Sequence, residues 1–183
     1  MLDCEGNNST DALHHPVYQL ERYLESWTET SNDPPSSTTT TNKHTNGPNH
    51  PSTAQQDEII RVTEFLFGTT LLTAALTLLD SHESIFTKVS SMHRSLWLVR
   101  GSGDASYMCF VSSKETPNLY YCNCRSFLEK TTKKTESVVP EVCKHLLALQ
   151  LIPVLGISCP HLTLSEKEFA KLVLERTFKA SSH

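Results

Sequence analysis

Four residues constrain this chain more than any others: Cys122, Cys124, Cys143 and His145. They read Cys-x-Cys, then eighteen residues from Arg125 to Val142, then Cys-x-His. Three thiolates and one imidazole form a complete tetrahedral set for one zinc ion, with no coordination position left open. Each pair is tight enough to come from a single short turn. The segment between them can therefore loop out without disturbing the metal. Any fold of this chain has to bring two distant turns face to face.

A second Cys-x-His, Cys159-Pro160-His161, competes for the role. Local context decides against it. Pro140 lies just before Cys143, and Glu141 to Leu151 reads as a helix. Cys143 is then expected in the first helical turn, where the positive end of the macrodipole favours a thiolate. Cys159 sits close to Gly156 and next to Pro160, in what reads as a connector. Cysteines outside a ligand set commonly pack as small apolar residues.

The chain has 183 residues, of which 38% are hydrophobic, and the apolar deficit is concentrated in one place. From Thr28 to Gln56 there is no Val, Ile, Leu, Met, Phe, Trp, Tyr or Cys, while Pro34, Pro35, Pro48 and Pro51 interrupt a threonine-rich run. Such a stretch cannot bury enough apolar surface to offset its ordering entropy. Residues 31–56 are accordingly expected to be a disordered linker behind an acidic N-terminal segment, residues 1–30. Residues 1–56 carry seven Asp/Glu and two Lys/Arg, a net of −5; residues 57–183 carry thirteen and fourteen, a net of +1. Neither half is basic enough to mark a nucleic-acid binder by charge alone. No charged and then apolar stretch marks a signal peptide, so the sequons at Asn7 and Asn8 are expected to be idle. A zinc site suits a compartment that keeps thiols reduced, cytosol or nucleus.

Within residues 11–27, Val17, Leu20, Tyr23, Leu24 and Trp27 fall on one face of a short helix. That face must dock, either on this chain's own domain or on a partner. The folded domain, residues 57–178 with a helix beginning near Thr53, is followed by a tail, 179–183. Thr53 to Gln56 has capping-box form. Gly68 ends this first helix, and a leucine-rich second helix runs from Thr69 or Thr70 to Asp80. The apolar period then changes to two: Ile85–Val89, Leu96–Val99, Tyr107–Val111 and Leu119–Cys122 read as short strands. Ser165 to Glu168 opens a terminal helix by capping box. The fold class expected is α+β: a short antiparallel β-meander with flanking helices and a structural zinc finger, preceded by the linker.

Nothing here points to catalysis. Zinc catalysis needs an open ligand position, and there is neither a phosphate-cradling glycine loop nor a Gly-x-Ser-x-Gly elbow. His82 beside Glu83 and His93 beside Arg94 read as loop or strand-edge residues, and His14 and His15 as solvated ones.

The order CxC, spacer, CxH resembles the SWIM-type zinc finger. Glu64-Phe65-Leu66-Phe67-Gly68, the helix ending in Leu78-Leu79-Asp80, Tyr121-Cys122-Asn123-Cys124-Arg125-Ser126-Phe127 and Cys143-Lys144-His145-Leu146-Leu147-Ala148 are similar to the small SWIM proteins of the Shu complex. That family extends its motif to CxC…CxHxxA, and Ala148 fills the last position. The resemblance covers Gln56 to Phe178; the low-complexity stretch is an insertion relative to compact members, and Pro153 falls where the helix after His145 is expected to end or kink. It implies a nuclear, non-enzymatic protein holding one structural zinc. Its implied partner is a RecA-like recombinase paralogue, in a heterodimer that promotes recombinase filament assembly on single-stranded DNA in repair and meiosis. Two other roles compete. Arg125, Lys130, Lys133, Lys134 and Lys144, near Tyr121 and Phe127, would suit direct binding of single strands. Larger SWIM proteins act as ubiquitin-ligase substrate adaptors.

Overall fold

The computed structural model describes residues 16, 19–20, 22–24, 52–81, 85–101, 105–112, 119–132 and 142–180, without the side chains of 178–180. Helices α1 (Thr53–Phe67) and α2 (Thr69–Asp80) precede strands β1 (Phe86–Ser90), β2 (Ser95–Arg100), β3 (Ser106–Phe110) and β4 (Tyr121–Cys122). Helices α3 (Arg125–Thr132) and α4 (Lys144–Val154), strand β5 (His161–Thr163) and helix α5 (Glu166–Ala180) follow. The cap of α1 is Ser52 rather than Thr53, its N–H donating to Gln55 Oε1 at 2.6 Å. The helix thus takes in the last residues assigned to the linker. Gly68, at φ 81, closes α1 and opens α2, a backbone conformation that side-chain-bearing residues adopt rarely. The Ser165–Glu168 capping box forms as expected, with Ser165 N–H donating to Glu168 at 3.0 Å and Glu168 N–H to Ser165 Oγ at 3.3 Å. Helix α5 continues to Ala180, into the expected tail.

The α+β class holds, but the sheet is mixed and has five strands, in the order β4-β3-β2-β1-β5. The expected meander accounts for the four antiparallel strands. Strand β5 lies parallel to β1, in the segment expected to be a connector. Lys88 N–H donates to the Pro160 carbonyl at 2.9 Å and Leu164 N–H to that of Ser90 at 2.8 Å, so the ladder is anchored from both ends.

Alternation along the strands separates two faces. Phe86, Trp97, Val99, Tyr107, Cys109 and Cys122 join the main core with α2 and α4. Val89, Leu96, Leu98, Met108 and Phe110 meet Phe169, Leu172 and Val173 of α5 on the other face. The sheet is thus covered by helices on both sides. Helix α4 is the centre of the main core: every residue from His145 to Ile152 is buried, with Lys144 and Pro153 exposed. A helix apolar all round is a core helix, and each fully buried leucine contributes about 1.5–3 kcal/mol. Pro153 does not end it; the helix extends to Val154.

The N-terminal segment docks on this domain. Leu20, in helical conformation, is fully buried in the main core, and Tyr23 and Leu24 pack against the same cluster. Val17, Trp27 and residues 31–51 lie outside the described residues.

Candidate metal centre

Two elements and two helix starts bring the four sequence-selected ligands together. Cys122 ends β4 at the sheet edge. Cys124 follows at the mouth of α3, its carbonyl accepting the N–H groups of Phe127 and Leu128 at 3.1 Å. Cys143 is not inside the first turn of α4, as the sequence led us to expect, but is its N-cap, with φ −95 and ψ 165. One further residue places His145 on the same helix, facing the sheet edge. The helix starts later than expected because Cys143 keeps an extended backbone while its carbonyl already accepts Leu147 N–H, 3.1 Å away.

All four side chains are buried, and their donor atoms lie within 4.8 Å of one another. His145 presents Nδ1, 3.7 Å from Cys122 Sγ and 3.9 Å from Cys143 Sγ. The Tyr107 ring packs on the imidazole with centroids 4.4 Å apart, which fixes the ring's orientation. The Cys124 N–H donates to Cys122 Sγ at 3.4 Å. Around a tetrahedral ion, sulfur and nitrogen donors at ordinary bond lengths sit about 3.6 Å apart. The two Sγ–Nδ1 separations match this within a few tenths of an ångström. The cluster can hold one metal ion.

Electrostatics give the same answer. Hydrogen bonds from Cys122 and then Cys143 hold the Cys124 thiol far below its ordinary range. Hydrogen bonding to Cys109 and then Cys124 pushes Cys122 up, and hydrogen bonding to Cys122 and Cys124, with burial, pushes Cys143 up. Negative charge on one of the three crowded sulfurs disfavours charge on the others. Burial, first of all, raises the neighbouring Tyr121 hydroxyl.

The competing pair is not part of this cluster. Cys159 is half-buried, and His161 lies exposed on β5 with Nε2 2.7 Å from Ser90 Oγ. His93 is exposed in the turn between β1 and β2; His14, His15 and His82 lie outside the described residues. The spacer between the ligand pairs is not all loop: α3 occupies 125–132, anchored by buried Phe127. The structure also adds a cysteine the motif did not single out, Cys109, whose Sγ lies 3.4 Å from that of Cys122. Only its place opposite Cys122 in the meander could have pointed to it.

An open groove of about 670 Å³ runs past the cluster, lined among others by Thr69, Thr70, Arg125, Lys130 and Lys144. Arg125 is bound to Glu129 at 2.5 Å, and Lys130 Nζ donates to the Val142 carbonyl at 3.4 Å. Lys133 and Lys134 lie outside the described residues. Among the described residues no helix is long and apolar enough to cross a membrane. Comparison with family models, curated proteins and solved structures finds no match.

Proposed function

We propose that this chain is a non-enzymatic partner protein built around one structural zinc ion of the SWIM type. In this reading it pairs with a RecA-like recombinase paralogue in a Shu-type complex that promotes recombinase filament assembly on single-stranded DNA. The observation that carries the reading is the buried Cys3His set, in CxC and CxH order, joining the sheet edge to the start of a core helix. Three soft thiolates and an imidazole form a donor set that favours zinc, which here would cross-link β4 to α4. Ala148 supports the extended motif: it is fully buried one helical turn beyond His145. The family resemblance alone supplies the partner's identity and the nuclear setting.

Phe65 is the best candidate for the dock. It is 89% exposed on α1, beside half-buried Leu66 and Phe67. The Glu129 carboxylate paired with Arg125 dilutes the positive charge that direct DNA binding by the finger would need. The ubiquitin-ligase adaptor role has no structural observation in its favour.

Affinity capture from native extract, with the full chain as bait, tests the proposal. A RecA-like paralogue should be recovered in equal amount, and Phe65→Glu should lose it while keeping one zinc per chain and an unchanged melting temperature. Substitution at so exposed a position costs within about 0.5 kcal/mol. Recovery of a cullin instead of a recombinase paralogue would overturn the partner assignment. Unimpaired recombination in cells lacking the protein would overturn the function.

A further inference from the structure

Cys109 is not among the four ligands, yet it lies against one of them. Strands β3 and β4 are antiparallel, with Cys109 directly opposite Cys122. The adjoining rung is closed by Asn123 N–H donating to the Met108 carbonyl at 3.2 Å. The Cys109–Cys122 rung is therefore a non-hydrogen-bonded one, where opposed Cα atoms lie about 4.5 Å apart. A disulfide spans Cα separations of about 4.4–6.8 Å. The two sulfurs are already 3.4 Å apart, and both residues are fully buried.

We propose that Cys109 and Cys122 form an oxidation site, in which a hydroperoxide converts the pair to a cross-strand disulfide and the bound cation is released. The inference rests on the metal reading above. In the first step the Cys122 sulfur attacks a peroxide oxygen; the O–O bond breaks, an alcohol or water leaves, and a sulfenic acid forms. In the second the Cys109 sulfur attacks the Cys122 sulfur; the S–O bond breaks, water leaves, and the S–S bond forms. Two electrons pass from the two sulfurs to the peroxide. When Cys122 starts as a metal-held thiolate, the proton it lacks comes from solvent.

Geometry favours Cys109 over the other thiols as the resolving partner. A tetrahedral ion holds its own sulfur ligands about 3.8 Å apart and engages a lone pair on each. Cys109 is closer to Cys122 and has no metal bond to break. Access comes from β4, a two-residue strand at the sheet edge. Short edge elements belong to the low end of local stability, and their opening exposes the rung. After oxidation three donors remain, Cys124, Cys143 and His145, and an incomplete set binds the cation more weakly.

The test uses metal-loaded full-length protein. Metal per chain is measured first; hydrogen peroxide is then added in graded amounts, a chromophoric chelator follows release, and alkylation with tandem mass spectrometry maps the linked cysteines. Release should track a Cys109–Cys122 linkage and be reversed by dithiothreitol with added metal. Cys109→Ala should start with the same metal content and release it at least tenfold more slowly. Linkages among Cys122, Cys124 and Cys143 with Cys109 still alkylated would overturn the proposal, as would wild-type release from Cys109→Ala. Should that variant not fold, the wild-type map decides alone. Protein isolated without metal would overturn the metal reading instead, and the same map would still decide the disulfide.

Discussion

Uptake of the cation should release two protons near neutral pH, and the count follows from the site's geometry. The donor atoms lie within 4.8 Å of one another and all four side chains are buried. Two thiolates at that separation repel by about 3.5 kcal/mol at an effective dielectric constant of about 20. That repulsion pushes a second ionisation upward, away from neutral pH. Hydrogen bonds from Cys122 and Cys143 hold Cys124 low while Cys122 and Cys143 are pushed up, so one thiolate among the three is the expected metal-free state. A cation that engages three thiolates must displace both of their protons. The sign follows: protons compete with the metal, so affinity rises with pH and falls on acidification. Between about pH 7 and pH 8 the association constant should rise about 100-fold, or about 2.7 kcal/mol, per pH unit. Competition against a chromophoric chelator at a series of pH values measures the slope of log K against pH. A slope of three would mean that no sulfur is ionised before the metal arrives. A slope of one would mean that two thiolates coexist without a cation. Either result would refute the reasoning.

Two further outcomes are expected. Cys143→Ser should lose the metal and soluble expression while Cys159→Ser keeps both, as read by elemental analysis; the opposite result would move the site to the second Cys-x-His. Leu20→Ala should destabilise the metal-saturated domain by about 2–5 kcal/mol through an unfilled core position, and denaturant titration with an unchanged midpoint would show that the N-terminal segment is not docked.

The ligand set was legible because its information is local: two residue pairs in order, each adjoining a turn. Gly68 and the Ser165–Glu168 box were legible for the same reason, since a cap is written within four residues. The meander was legible from its period of two. What escaped depends on partners remote in sequence. Strand β5 spans three residues, all exposed, so no alternation marks it; its existence rests on β1 lying alongside. Helix α3 buries Phe127 alone, leaves Leu128 exposed and is otherwise polar, so no apolar stripe marks it in the sequence. The sequence leaves the docking of Leu20 open between the chain's own core and a partner, because an apolar stripe does not say what will cover it. The start of α4 lies three residues later than the Glu141 that the sequence suggests, and the shift changes the role of Cys143 from first-turn residue to cap.

The parallel rung between β1 and β5 bears on the order of events as the chain is made. Lys88 pairs with His161, and all four ligands lie between them in sequence. During synthesis His145 emerges before β5 and before α5, so the cation can be captured while β1 still has an open edge. That rung closes the longest loop in the sheet, and non-local closure is the slow, entropically costly kind. A metal clip between residues 122 and 145 would shorten the free length that remains to be closed. A nascent chain starved of metal would keep the edge of β1 unpaired for longer, and an unpaired edge is where strands of separate chains first join.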